Sequence, residues 1–204
     1  MLLQQSADST TRLTREPPNA NPRPLALGDS IRVDFGPLAA PDWNTVLPRQ
    51  ERVGPLVTDA GESTFVFLSK EDLRGSQEGG AAQNDFMWPA EVSQDSVWLG
   101  SFEGHEAARE ITGHAIFEGL ADGAYRIEIF GSRSGDDAGA GRLVRFAIGE
   151  DSLDYDTSDN ESELAVFDEV RPEGGLIDIV VAVSPLGTAR FAHLGAVVLT
   201  RTGN

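Results

Sequence analysis

Apolar and polar residues alternate over short stretches along most of this chain, and a period of two is typical of strands with one buried face. The first clear case is Ile31, Val33 and Phe35, which alternate with charged residues. The same pattern returns at 125–129 and at 144–148. Further runs that favour strands lie at 64–69, 96–99, 111–117, 164–170, 176–183 and 191–200. The chain therefore predicts about nine strands, joined by segments rich in Gly, Pro, Asp and Asn.

The pattern also indicates how these strands are arranged. The run at 176–183 is apolar on both faces except at Asp178, so we expect it in the middle of a sheet. No segment keeps a helical stripe for three turns, and Glu103 to Glu110 has room for one short helix at most. Short strands joined by turns favour an all-β fold, an antiparallel β-sandwich of the jelly-roll type, over parallel βαβ units.

The beginning of the chain has a different composition. Four prolines and two asparagines fall between residues 17 and 24, and such a segment resists both helix formation and pairing in a sheet. We therefore predict a disordered or extended N-terminal tail or linker over residues 1–27. The remaining residues, 28–204, are enough for one β-sandwich domain.

Charge and composition exclude several classes of partner. The 204 residues include 33 acids and 16 bases, and the net charge of −17 disfavours nucleic acid and anionic lipid surfaces. No apolar run approaches the ~20 residues of a membrane span, so we expect no membrane insertion. The absence of cysteine excludes disulfides and thiol catalysis. No export signal is visible in the first residues.

One stretch imitates a catalytic motif. Residues 25–31 resemble the nucleophile block of GDSL (SGNH) esterases, with Ser30 in the place of the nucleophile. In those enzymes the serine ends a strand and meets a histidine that follows an aspartate by three positions. None of the three histidines has that aspartate, and Ser30 begins a strand instead. We therefore expect a turn here, and no enzyme.

Two other segments fail as ligand motifs. Residues 150–163 hold seven carboxylates, but Asp159 and Ala165 stand where an EF-hand needs glycine and glutamate. We predict a solvated acidic loop, and a Ca²⁺ site of another kind stays open. The glycine-rich segment 131–141 lacks the Gly-Lys-Ser/Thr end of a phosphate loop, so we expect a flexible connection there.

The three tryptophans are the most informative candidates for binding. Trp43 and Trp88 lie in turn-forming neighbourhoods, where an exposed indole can stack on the apolar face of a sugar ring. Trp98 lies in a strand-like run, so we rank it below the other two. The alternative for each tryptophan is a ring that caps the core.

Several short segments together resemble one family of modules. They are Val33 to Gly36, Trp43 to Thr45, Trp88-Pro89, Asp95-Ser96 with Gly100, Gly119-Leu120, Gly123 to Tyr125, Gly131 to Arg133, and the closing Phe191 to Leu199. In this order they resemble the galactose-binding-domain-like jelly roll of secreted bacterial proteins, which is related to malectin-like and carbohydrate-binding modules. Such modules are appended to glycan-active or surface proteins, so the resemblance implies a non-catalytic, extracellular or cell-surface module of a parent multidomain protein. It also implies binding loops at one end or on one face and sometimes a calcium ion.

The resemblance and the residues together lead to one functional expectation. We expect a module that binds a glycan, with Trp43 and Trp88 as stacking platforms. Asn44, Asp95 and Arg133 are the expected hydrogen-bonding partners, although these polar residues can instead form a buried network that ties loops together. The strong negative charge makes a neutral glycan the expected ligand.

Two alternative functions stay open. One is a structural or adhesive subunit that self-associates through sheet edges in a surface layer or filament. The other is an esterase or glycoside hydrolase whose serine or acids are brought together only in three dimensions. With 33 acids in the chain, sequence alone singles out no carboxylate pair.

Overall fold

The computed structural model describes residues 21–135 and 142–204, and strands make up almost all of the regular structure there. The strands are β1 (Ser30–Phe35), β2 (Asn44–Val46), β3 (Arg52–Val53), β4 (Phe67–Glu71), β5 (Gly75–Glu78), β6 (Asp95–Gly100), β7 (Thr112–Glu118), β8 (Tyr125–Phe130), β9 (Leu143–Ile148), β10 (Asp151–Asp156), β11 (Ala165–Val170), β12 (Leu176–Val183), β13 (Phe191–Leu194) and β14 (Ala196–Arg201). Two short helices, α1 (Ala90–Gln94) and α2 (His105–Ala108), flank β6 in sequence. The second helix lies inside the segment predicted as a short helix, and the first was not predicted.

Most strands belong to two large sheets that face each other. Five strands are ordered β11-β8-β14-β1-β2, and six are ordered β10-β9-β12-β7-β4-β3. Neighbouring strands are antiparallel except β1 and β2, which are parallel. One buried cluster takes side chains from both sheets, among them Val33, Ile129, Phe117 and Phe146. The predicted all-β, antiparallel sandwich is confirmed.

The central position predicted for the most apolar run is also confirmed. Strand β12 pairs with β7 on one side and with β9 on the other, so both of its edges are hydrogen-bonded. Ile177, Ile179 and Val181 are buried in the core, whereas Asp178 is half-buried on the outward face. The outward-facing residues after Asp178 are half-buried as well, and this partial cover of both faces accounts for the almost continuous apolar run.

Two stretches differ from their predicted form. The run at 191–200 is not one strand, because Gly195 interrupts it and the two halves, β13 and β14, join different sheets. The expectation of an acidic loop is wrong for residues 151–156, which form β10 and pair with β9. This strand lies at the edge of its sheet, where its carboxylates stay in water and Asp154 pairs with Arg145 at 2.7 Å.

Part of the segment predicted as a tail packs on the sandwich. The amide of Arg23 donates to the carbonyl of Ser63 at 3.1 Å, and Leu25 is buried in the main core. Residues 1–20 of the predicted tail lie outside the described residues, as do residues 136–141 of the glycine-rich connection. Within the described ranges, no helix is long and apolar enough to cross a membrane.

A small third sheet, ordered β13-β6-β5, completes the fold. Its inner face carries Val97, Leu99, Ala192 and Leu194, which all belong to the main core. Because successive side chains of a strand point to opposite faces, the residues between them lie on the outer face of this sheet. The side chains on that outer face form the site described next.

Candidate functional site

The outer face of the three-stranded sheet is built around Trp98. Antiparallel pairing places Gly75 opposite Trp98 on one side and His193 opposite it on the other, so the three residues form a row across the sheet. Gln77 and Phe191 lie on the same face, each two residues from a member of this row. The sheet thus holds an indole at its centre with polar and aromatic side chains around it.

Trp98 is one of three aromatic rings in mutual contact at the surface. Its ring centroid lies 5.0 Å from that of Phe191 and 6.1 Å from that of Phe102, both in edge-to-face geometry. The centroids of Phe102 and Phe191 are 4.9 Å apart. Phe102 is 78% exposed, and the other two rings are half-buried. The cluster therefore offers apolar ring surface to the solvent.

The position of the indole depends on a glycine in the neighbouring strand. A Cβ atom at Gly75 would lie 2.1 Å from Cε2 of Trp98 and 2.2 Å from Cδ2. Such distances are far below van der Waals contact, so only glycine allows the ring to lie against the backbone of β5. The strand pairing and this close approach together fix the indole in place.

Polar groups border the aromatic rings. Nε2 of Gln77 lies 3.1 Å from Nδ1 of His193, and because an amide nitrogen donates, the imidazole nitrogen accepts. Burial lowers the pKa of His193 to about 3, and the positive charges of Arg133 and Arg142 act in the same direction. The imidazole is therefore uncharged at neutral pH, and the positive charge of this region comes from the two arginines.

Backbone carbonyl groups hold both arginine side chains. Nη1 of Arg133 lies 3.4 Å from the carbonyl oxygens of Glu78 and Gly79. Nη1 of Arg142 donates to the carbonyl oxygen of Arg133 at 2.6 Å. Gly79 has a φ of +133°, and a Cβ atom there would lie 2.3 Å from Nη1 of Arg133. Glycine is thus needed both for the backbone conformation and for the room that the guanidinium occupies.

The aromatic and polar side chains of this region surround an open cleft of about 310 Å³. Its lining consists of Ser76, Gln77, Trp98, Phe102, Arg133, Arg142, Phe191 and His193. Aromatic rings beside hydrogen-bonding groups suit a polar ligand that has one apolar face. A larger groove of about 730 Å³ beside β4 is lined mostly by charged side chains and includes no aromatic ring in its lining. The smaller cleft is therefore the better candidate for binding a sugar-like molecule.

The structure places Trp43 and Trp88, the two predicted platforms, in a different cluster. Trp43 is 6% exposed and packs in a second apolar cluster with Phe130. Trp88 is half-buried, with its ring centroid 5.1 Å from that of Trp43 and 4.7 Å from that of Phe86. This packing corresponds to the alternative of rings that cap the core. Ligand contact by either tryptophan stays a prediction.

Two predicted polar partners, Asn44 and Asp95, make contacts that tie loops to strands. Nδ2 of Asn44 donates to the carbonyls of Arg32 and Val57 at 2.9 and 2.8 Å, and its Oδ1 accepts from the amide of Val57 at 2.8 Å. Asp95 is buried and accepts from the amide of Leu38. These contacts match the structural alternative, and a ligand role for both residues stays a prediction. Of the five predicted residues, Arg133 lines the cleft.

Asp95 lies near a second buried carboxyl group, that of Asp34. The amide of Ala40 donates to Asp34 at 3.2 Å, and one oxygen of each carboxyl group has no hydrogen-bond partner among the described residues. Burial raises the pKa of Asp34 to about 8, and the charge of Asp95 adds to the effect. Burial likewise raises the pKa of Asp95 to about 6. Both groups therefore resist ionisation in the folded protein.

The calcium ion that the resemblance allows stays a prediction. Ca²⁺ takes about six to eight oxygen ligands, from carboxylates, backbone and amide carbonyls and water. Within residues 21–135 and 142–204, no three His, Asp or Glu side chains come together in a way that could hold a metal ion. In the acidic segment Asp154 pairs with Arg145, and Asp156 accepts from the amide of Ser158. We derive no role for a metal.

Ser30 does not meet a catalytic base in its own sheet. Its hydroxyl pairs with that of Thr200 at 2.8 Å, between β1 and β14. The described histidine that contacts a carboxylate, His114, lies 2.9 Å from Asp178 on the other large sheet. A serine on one sheet and a histidine–aspartate pair on the other do not form the hydrogen-bonded relay of a triad.

Most residues of the cleft were not predicted from the sequence. Trp98 ranked below the other tryptophans as a candidate, and Gln77, Phe102 and His193 were not candidates. The alternation at 96–99 contained the missing signal, because buried neighbours on both sides of Trp98 require that residue to face outward. The contribution of the other residues depends on pairing between distant strands, for which the local pattern has no signal.

Comparison with known proteins identifies one structural neighbour of interest. No protein family matches the chain, and no curated protein matches it in sequence. Among solved structures, the chain is similar to the carbohydrate-binding module TmCBM61, solved in complex with β-1,4-galactotriose, with a TM-score of 0.40 and 16% identity. The match covers 70% of this chain and 92% of that module.

Proposed function

We propose that this chain is a non-catalytic glycan-binding module of the galactose-binding-like or malectin-like kind that its sequence resembles. The observation that carries the proposal is the partly exposed cluster of Trp98, Phe102 and Phe191 beside polar side chains. An apolar patch with a polar border is typical of a binding surface. A sugar ring can cover such a patch with its C–H face and leave its hydroxyls for Gln77 and Arg133.

Binding at this cleft requires little rearrangement of the protein. Trp98 lies between two hydrogen-bonded strands and against Gly75, and Phe191 lies on the adjacent strand. Rings fixed by a sheet are positioned before the ligand arrives, which lowers the entropic cost of binding. A few stacking contacts and directed hydrogen bonds in an open cleft still support only modest affinity, with Kd on the order of 10 μM to 1 mM.

The proposal is tested by measuring the binding of the full chain to a panel of soluble polysaccharides, by affinity electrophoresis and titration calorimetry. Trp98→Ala removes the central ring of the cleft, and Phe102→Ala removes its most exposed ring. Phe65→Ala is the matched control, because Phe65 is a 49% exposed phenyl ring outside the cleft. We expect each cleft variant to lose affinity at least about tenfold, and the control to bind like the parent.

If Trp98→Ala does not fold, Phe102→Ala still tests the site, because an exposed side chain can be truncated with little effect on stability. Thermal unfolding of each variant shows whether it is folded. Unchanged binding in both cleft variants would remove this site. A parent chain that binds no glycan of the panel would refute the proposed function.

The alternative functions give different results with the same preparations. A self-associating structural subunit elutes as large assemblies and binds no glycan. A hydrolase releases product, and Ser30→Ala abolishes that release where the serine is the nucleophile. We also propose that binding needs no metal, so a chelator should leave the glycan affinity unchanged. We further propose that the module acts outside the cell or at its surface. Fractionation of the producing cells tests this location.

A further inference from the structure

We propose that the glycan bound in this cleft carries a carboxylate, as a uronic acid residue does, and that Arg133 and Arg142 recognise that group. This inference rests on the proposed function and adds the charge of the ligand to it. It departs from the neutral glycan that the net charge predicts, because net charge averages over the whole surface.

The described lining of the cleft is positively charged within a strongly acidic protein. Two arginines belong to it and, among residues 21–135 and 142–204, no Asp or Glu does, although the chain as a whole has a net charge of −17. His193 is uncharged at neutral pH, so Arg133 and Arg142 are the charged groups among the described lining residues. The charge of this described lining therefore has the sign opposite to that of the molecule.

The two arginines also differ from most others in their partners. Seven arginines form ion pairs with carboxylates: Arg23, Arg32, Arg52, Arg74, Arg109, Arg126 and Arg145. In the described part of the chain, Arg133 and Arg142 contact backbone carbonyl oxygens and no carboxylate. A carbonyl oxygen positions a guanidinium group without neutralising its charge. Both side chains thus keep charge and N–H donors for a ligand.

The chemistry of the guanidinium group favours a carboxylate as that ligand. Its planar fork of N–H donors matches the two oxygens of a carboxylate and forms two parallel hydrogen bonds with them. At about 0.15 M salt the Debye length is ~8 Å, so acidic groups beyond that distance are largely screened, whereas a contact pair at ~3 Å is not. A contact pair in the cleft is therefore compatible with the negative charge of the whole molecule.

The test compares ligands that differ only in charge. Oligogalacturonate and its fully methyl-esterified form are titrated into the full chain at about 0.15 M salt, and a glucuronate-bearing xylan oligosaccharide with its methyl ester is the second pair. Arg133→Gln and Arg142→Gln remove one guanidinium each. Arg171→Gln is the matched control, because Arg171 is exposed and lies outside the cleft.

We expect the parent to bind at least one acid at least about tenfold more tightly than its ester. Each cleft variant should lose most of that preference, and the control should keep it. Equal affinity for acid and ester would overturn the inference. A preference for the acid that survives in both cleft variants would also overturn it, as would binding of the neutral glycans alone. In those cases the proposed function stands, whereas a chain that binds no glycan at all removes both.

Discussion

The buried carboxyl group of Asp34 leads to a quantitative prediction about pH and stability. The substitution is Asp34→Asn, which keeps the shape of the side chain and an oxygen that accepts from the amide of Ala40. Asp34 has no exposed surface. Its pKa is raised from 3.8 to about 8, by burial first and by the charge of Asp95 second. The asparagine removes the group that resists ionisation.

The sign of the effect follows from the two pKa values. In the unfolded chain Asp34 loses its proton near 3.8, whereas in the folded chain it keeps the proton up to about 8. Between those values the folded state binds more protons, so the free energy of unfolding falls by ~1.4 kcal/mol for each pH unit. The stability is fully present below the lower value and is lost as the pH rises through the upper one. Complete ionisation costs on the order of 5 kcal/mol, against ~5–15 kcal/mol for a whole domain.

Urea unfolding followed by tryptophan fluorescence measures this effect. We expect the stability difference between Asp34→Asn and the parent to grow in favour of the variant by ~2–4 kcal/mol between about pH 5 and pH 9. Asp122→Asn is the matched control, because it removes one charge from an exposed aspartate and corrects for the general repulsion in this acidic chain. Parallel pH profiles for the parent and Asp34→Asn would refute the reasoning.

Two further substitutions test the placement of single residues. Gly75→Ala places a Cβ atom 2.1 Å from the Trp98 ring, so we expect a shifted fluorescence emission and weaker glycan binding in a chain that keeps its strand content; unchanged emission and affinity would contradict the position of the indole. Asn44→Ala removes hydrogen bonds to Arg32 and Val57, and should lower the free energy of unfolding by ~2–3 kcal/mol with glycan affinity unchanged. Lost affinity in a folded Asn44→Ala chain would instead support the ligand contact predicted for that residue.

Most of the longer strands could be predicted from the sequence because they separate core from solvent. Strands β8 and β9 alternate buried and less buried residues along almost their whole length. The strands β2, β3 and β5 have only three, two and four residues, which is too short for an alternation to show. Strand β10 was missed for another reason: its residues are mostly exposed, and pairing with β9 rather than burial makes it a strand.

The site was harder to predict because it is assembled across strands that are distant in sequence. The neighbours that define the surroundings of Trp98 are Gly75 and His193, and only the pairing of β6 with β5 and β13 brings them to it. Turn composition indicated exposure for Trp43 and Trp88, but it has no information on the rings that cover them. Arg133 was selected from a local motif, and its place in the cleft was not predictable from that motif.

The two aromatic clusters separate stability from binding, and this separation distinguishes a binding surface from ordinary packing. Truncation of Trp43, which is 6% exposed, opens a cavity that costs ~3–5 kcal/mol, so any loss of binding there can follow from loss of the fold. Phe102 is 78% exposed, and its removal leaves no comparable cavity. If the rings of the cleft only packed against one another, Phe102→Ala would lower binding only as far as it lowered stability, as expected for truncation of Trp43. Loss of glycan affinity in a Phe102→Ala chain of parental stability is the result that a merely structural cluster does not produce.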